Sequence, residues 1–257
     1  MDYVSVDEAR QQSGLRLVLT QGVPGPWGEA AKSIFDVKGL EFTPVGQRAG
    51  EPNESLLEWT GQTSAPVAVW NEEPPCNTSR AILWLAERLE PDVSLLPADP
   101  TERALCLGLC DEIHGENGLG WCRRLLMFDA LLGNSSDPLN EGGLGFMASK
   151  YGYSAGAVRQ AEARILQILE LCSQRLSEQK QRGRRYFIGE GLSAADVYWA
   201  AFAAMFAPMP PERCPMPDGM RQMYTVAPGP IANALEGELL EHRDFVYEEH
   251  LKLPLEF

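Results

Sequence analysis

The chain has 257 residues, 44% hydrophobic and 23% charged, enough for one large domain or two small ones with buried cores. Its net charge of -14 argues against nucleic-acid binding, which needs a basic face to displace counterions, and equally against anionic membrane surfaces. No apolar run reaches the ~20 residues of a membrane span. The polar, acidic start MDYVSVDEARQQSG is neither a secretory signal nor an Arg-rich transit peptide, and residues 1–14 read as a short, frayed lead-in.

Leu15 to Thr20 (LRLVLT) predicts a first strand. A Gly/Pro loop from Gln21 to Pro26 leads into an amphipathic helix over about Trp27 to Lys38, with Gly39 as its C-cap. Leu40 to Val45 returns as a second strand, and a helix is expected near Ser55 to Trp59. With a further strand and helix, residues 15–90 make a small α/β domain.

The part of that domain from Trp59 to Leu89 carries the most information. A polar run, Thr60-Gly61-Gln62-Thr63-Ser64, precedes Ala65-Pro66 and an apolar strand from Val67 to Trp70. A turn or short strand follows, and then a helix with apolar Ala81, Ile82, Leu85 and Leu89. An X-Pro bond at this place tolerates the cis form, because the tertiary amide cuts the trans preference to roughly 0.5–1 kcal/mol. Ala65 is then extended, with its main-chain groups open to pairing. Thr78 and Ser79 stand at a helix start, where backbone N–H groups lack partners and a carboxylate is welcome. An extended peptide paired with Ala65 and ending in a carboxylate at Ser79 suits both features.

Residues 91–100 form a Pro-rich connector, and 101–257 read as helical. Helices are expected at Thr101 to His114, Trp121 to Leu132, Ala155 to Gln181, Ala194 to Phe206 and Ile231 to Glu241. Gly133 to Gly145 and the proline-laden stretch 208–230 read as irregular. The six cysteines show no CxxC and no disulfide-framework spacing, which fits reduced thiols in a cytoplasmic protein. Cys106, Cys110 and His114 fall at helical intervals, but three ligands strung over two turns do not converge on one ion. His114-Gly115-Glu116 lacks the PCxxC that completes an HxE zinc site. No metal is expected.

Near the C-terminal third, Tyr186 to Trp199 (YFIGEGLSAADVYW) holds a second signature. Ser193 three residues before Asp196 is a capping box, with Leu192 and Val197 placed for a hydrophobic staple. The first stretch resembles the glutathione-binding half of the thioredoxin fold, with a TGQxxxP run similar to that of glutaredoxins. The second is similar to the N-capping box of the buried helix in the second domain of glutathione transferases. Both occur in the family's order, so the resemblance covers residues 15 to about 206. It implies a thioredoxin-like α/β domain followed by an all-α domain, a likeness to the glutathione S-transferase superfamily.

The resemblance also implies which residues form the site. A hydroxyl or thiol on the loop after the first strand meets the sulfur of glutathione in this family, but the matching positions here hold Gln21 and Gly25. Neither is a nucleophile, which argues against a glutaredoxin-like thiol-disulfide role. Transferase chemistry needs only an ionised glutathione thiol, and a helix N-terminus lowers a thiol pKa from ~8.5 towards neutrality. The expected catalytic set is therefore the backbone N–H groups of Trp27 and Gly28, with the Gln21 amide or the Thr20 hydroxyl. Gly25, Pro26, Trp27, Gln62, Ala65, Pro66, Thr78 and Ser79 are the expected glutathione-binding residues. Thr78 replaces the usual acidic or amide residue, which weakens the expected recognition of the γ-glutamyl ammonium unless Glu72 or Glu73 substitutes. His114, Asn117, Trp121 and Arg124 lie where the family binds its second substrate, and Phe146, Met147 and Tyr151 are placed for a lid. The implied function is conjugation of glutathione to a small hydrophobic electrophile by a homodimer. A non-catalytic glutathione-binding or protein-interaction module on the same fold is the alternative.

Overall fold

A computed structural model describes residues 1–140 and 142–257. The chain divides into two compact units, one of 1–95, 209–216 and 247–257, the other of 96–208 and 217–246.

The first unit is built on a three-stranded sheet in the order β2-β1-β3, from β1 (Leu15–Thr20), β2 (Thr43–Gln47) and β3 (Val67–Trp70). β1 pairs parallel with β2 and antiparallel with β3. A strand between two partners is covered on both faces, and Leu15 through Leu19 are all buried. Arg16 is carried inside with them, and its guanidinium donates to the Gln12 and Asn71 carbonyls.

Before β1, Val4 pairs with the outer edge of β2 through Val4 N–H to Pro44 O and Gly46 N–H to Val4 O. α1 (Val6–Arg10) follows, capped by Ser5 and Glu8. The lead-in expected to fray is thus folded, with Ala9 in one core cluster with Val18, Val45, Leu56, Val67 and Val69. Ser5-x-x-Glu8 was the overlooked signal.

α2 (Pro26–Val37) has Gly25 at its N-cap, and its first turn lies close on β1. A Cβ at Gly28 would stand 3.2 Å from Leu19 Cδ2. α2 ends in a Schellman motif, with Gly39 at φ 67 donating to Asp36 O and Leu40 to Phe35 O. Leu40 is spent on that motif, so β2 begins at Thr43, opposite Arg16, rather than at Leu40 as expected. α3 (Glu54–Thr60) and α4 (Ser79–Leu89) complete the unit. The short strand between β3 and α4 shrinks to one antiparallel bridge, Ala68 to Cys76. Lys38, with its side chain fully buried, bonds Glu87 Oε1 at 3.0 Å and the Val93 carbonyl. Glu87 also accepts from Ser94 Oγ and the Leu95 N–H, so the first part of the connector is tied to this unit.

The tail joins the same unit. Leu255 N–H donates to Arg213 O, Arg213 pairs with Glu248, and Lys252 pairs with Asp36. Lys32, paired with Glu29 at 2.7 Å, donates to the Glu256 carbonyl. These segments sit in the first unit although the sequence places them in a helical region running to 257.

The second unit is helical. It holds α5 (Pro100–His114), α6 (Leu119–Leu132), α7 (Gly142–Lys150), α8 (Ala155–Gln181), α9 (Ala194–Ala203), α10 (Asp218–Tyr224), α11 (Pro230–Leu235) and the first part of α12 (Glu238–His250). Asp99 caps α5, accepting from the Thr101 and Glu102 N–H groups. Ser154 caps α8.

Three expectations change here. The end of the Gly-rich stretch is helical, and Glu141 within it lies outside the described residues. A Cβ at Gly145 would stand 2.6 Å from Leu139 O, so that glycine serves close packing rather than looseness. Within 208–230, the Pro-free run after Pro217 forms α10. The helix expected at Ile231 to Glu241 divides at Gly237, φ 73, and its second half runs on to His250.

α9 is buried along its whole length. Its capping box is formed, and Asp196 does more than cap. Oδ2 accepts from the Ser193 N–H (2.9 Å) and hydroxyl (2.6 Å), and Oδ1 from the Phe187 N–H (2.9 Å). His242 of α12 closes the set, its Nε2 2.8 Å from Oδ1.

Candidate functional site

Strand register brings three of the expected segments to one end of the sheet. β1 ends at Thr20, so the loop to α2 and the Gly25 cap leave from that end. Val18 pairs with Val67, which sets Ala65-Pro66 beside Leu19 and Thr20. The antiparallel bridge at Ala68 and Cys76 carries the chain on towards the level of Pro66, where α4 starts with Thr78 and Ser79.

Each segment has a local cause. Gly25 has no side chain to cap α2, and Pro26 at the first helical position has no N–H to offer. The first i→i−4 bond runs from Glu29 N–H to Gly25 O, so the Gly28 N–H precedes it. The Ala65-Pro66 bond is cis, and Ala65 packs half-buried against the sheet core. Thr78 Oγ1 accepts from the Ala81 N–H at 3.1 Å, capping α4. Gln62 is held by its N–H to Thr60 Oγ1, on the loop that leads to Ala65.

The two expected side-chain helpers are engaged elsewhere. Thr20 donates its hydroxyl proton to Gln47 Oε1 at 2.8 Å. The roles are fixed, because Gln47 Nε2 donates to the carbonyls of Arg48 and Thr63 at 3.0 Å each, leaving Oε1 to accept. Gln21 donates its N–H to Gln47 O, and its amide lies over Gly46, where a Cβ would stand 2.4 Å from Nε2. It faces a cleft of about 560 Å³ lined by Tyr3, Ser5, Gly46, Arg48 and Asn53, on the outer side of β2. Both side chains are thus held against β2 residues. Glu73, expected to help with the γ-glutamyl end, pairs with Arg88 instead.

In the second unit the expected pocket residues separate into two groups. Trp121 meets Tyr151 edge-on at 4.9 Å, and Arg124 lies over the same ring at 4.4 Å. Met147 and Tyr151 pack on Phe128, Leu132 and Ala148, while Phe146 is 63% exposed. The segment expected as a lid is therefore mostly part of the packing. His114 instead packs against Tyr198, with ring centroids 4.5 Å apart and the planes tilted at 57°. Asn117 takes φ 59 between α5 and α6, and its carbonyl accepts from Arg164 Nε. These contacts give His114 and Asn117 structural work.

No cysteine lies on the 21–28 loop. Burial pushes the Cys122 thiol up to about 11 and raises Cys76, Cys110 and Cys172 as well. Cys106 is lowered, chiefly by its hydrogen bond with Cys110, but it is buried on α5.

Sequence reasoning missed Gln47. A glutamine ending a strand reads as surface, and its burial follows only from the loop folded over it.

No family model and no curated protein matches the sequence. Solved structures do match, at low identity. A glutathione transferase from Pseudomonas putida, with one glutathione disulfide bound per subunit, gives a TM-score of 0.63 at 15% identity over 95% of this chain and 92% of that one. Rice GST1 in complex with glutathione gives 0.58 at 19% identity, covering 95% and 94%. The nitrogen regulation fragment of the yeast prion protein Ure2p gives 0.64 at 10% identity, covering 92% and 93%. The chain thus has the glutathione S-transferase fold, a thioredoxin-like α/β unit with an all-helical one.

Proposed function

We propose that this protein binds glutathione and conjugates it to a small hydrophobic electrophile, acting as a cytoplasmic homodimer. The convergence of the α2 start, the cis Ala65-Pro66 pair and the α4 start at one sheet end carries this reading. The Ala65 main chain pairs with the cysteinyl residue of an extended tripeptide, and the α4 start receives the γ-glutamyl carboxylate. Gln62 meets the glycyl end. The thiol lies at the start of α2, where the Trp27 and Gly28 N–H groups favour its thiolate. The proton leaves to solvent, and the thiolate attacks the electrophilic carbon. A carbon–sulfur bond forms as a leaving group departs, or the adduct is protonated.

The test is titration of the protein with glutathione while thiolate absorbance is followed against pH. Bound glutathione should ionise at lower pH than free glutathione. Gln21→Ala should change conjugation by no more than about threefold, because its amide lies over Gly46. A loss of several hundredfold, the scale of a removed oxyanion donor, would make Gln21 the main thiolate stabiliser.

Replacing the six cysteines with Ser or Ala, singly and then together, should leave conjugation per folded molecule largely intact. Loss traced to one cysteine in the single variants would revive a redox mechanism. The engagement of Thr20 and Gln21 away from α2 favours a second reading, a glutathione-binding module without catalysis. Bound glutathione that ionises no more readily than free glutathione would support that account.

A further inference from the structure

Gln47 is 4% exposed, and its side chain joins three segments. It accepts from Thr20, the last residue of β1, and donates to the carbonyls of Arg48 and of Thr63. Its own carbonyl takes the Gln21 N–H, at the start of the loop that leads to α2. Thr63 lies two residues before Ala65, on the loop that ends at the cis Pro66. One buried amide therefore braces the chain on both sides of the place proposed for the tripeptide. The Thr20 side leads to the helix end that meets the thiol. The Thr63 side leads to the main chain that meets the cysteinyl residue. A buried amide with acceptor and donors all used holds its partners in one geometry, because losing any bond leaves a buried polar group unmatched.

We propose that Gln47 is the positioning residue of the glutathione site, setting the spacing between the α2 start and Ala65; this rests on the glutathione-binding reading above. It touches neither the tripeptide nor the electrophile, and it acts through Thr63 and Thr20.

The test uses the full chain. Gln47→Met keeps the length of the side chain and removes its polar bonds. Glutathione affinity should fall about tenfold, and bound glutathione should ionise at higher pH than on the wild type. Amide hydrogen exchange over 61–65 should quicken, a readout that needs no ligand. Thr20→Val removes one arm only and should give a smaller change in the same direction, and it stands in if Gln47→Met fails to fold. The double variant should lose less than the two single losses combined, since both changes break one network. A variant that is less stable but keeps wild-type affinity, ionisation and loop exchange would overturn the proposal and leave Gln47 a packing residue. A wild type that binds no glutathione at millimolar concentration would overturn the reading beneath it, whereas binding in the wild type with unchanged binding in the variants would overturn only the role of Gln47.

Discussion

Asp196→Ala should cost the helical unit about 4–5 kcal/mol and leave little of it folded at physiological temperature. The carboxylate is fully buried and is shared by four polar groups from three places in the chain. Truncation leaves the N–H groups of Phe187 and Ser193 without their acceptor and removes the partner of His242. Each buried polar group left unmatched costs ~1–3 kcal/mol. Asp196→Asn keeps the shape and one acceptor oxygen, so about half that loss is expected. His242→Ala breaks one of the four contacts, together with the edge-on packing of the imidazole against Phe187 at 4.7 Å, and should cost ~2 kcal/mol. Denaturant unfolding followed by tryptophan fluorescence reports directly, since Trp199 lies in α9 and donates its indole N–H to Leu239 O. An Asp196→Ala protein within ~1 kcal/mol of wild type would show that the capping box is not the anchor of this unit.

Arg123→Met should cost about 3 kcal/mol. Arg123 is buried on α6, and its guanidinium donates to the carbonyls of Met205 (2.8 Å), Met223 (3.0 Å) and Tyr224 (3.2 Å). It also lies over the Phe206 ring at 5.5 Å. Burial lowers its pKa to about 10, which still leaves it charged at neutral pH. Methionine fills most of the volume, and losing a buried charge offsets part of the cost. The remaining loss comes from three carbonyls, one just after α9 and two in the last residues of α10. Arg123→Lys should recover little, because one ammonium on a flexible stem does not reproduce the planar fork. The melting temperature should fall by roughly 5–10 °C, and limited proteolysis should find new cleavage between 205 and 225. Wild-type protease resistance in that segment would mean that the turns hold without the arginine.

Much of the first unit was legible because its signals are local. Leu15 to Thr20 is too short and too apolar for anything but an inner strand. Gly39 sits where a helix needs a left-handed residue, and Ala65-Pro66 before a β-rich run marks the turn that the structure holds in cis. Ser193 and Asp196 announced the start of α9 for the same reason. The errors share a physical cause. The start of β2 slipped by three residues because hydrophobicity does not show that Leu40 belongs to the helix cap. Gly142 to Gly145 read as loose because composition does not show a backbone carbonyl 2.6 Å from where a Cβ would be.

The candidate site divides in the same way. The segments that carry it were readable from turn chemistry and resemblance, whereas the directions of the side chains were not. Gln21 stands at the position to which the resemblance gives a thiolate donor, with Thr20 beside it, yet a buried Gln47 and a close Gly46 hold both side chains towards β2.

The sequence by itself determined the order of elements, the cap positions, the cis-capable proline and the absence of a protein nucleophile on the loop after β1. Those depend on residue identity over a few positions, where backbone sterics and unmatched N–H groups act. Only the tertiary structure decided that the lead-in and the tail fold into the first unit, that Asp196 and His242 meet across 46 residues, and that Gln47 joins Thr20 to Thr63. Those contacts gain their free energy from burial shared by segments far apart in the chain, and no local pattern encodes which distant partner will match a buried polar group.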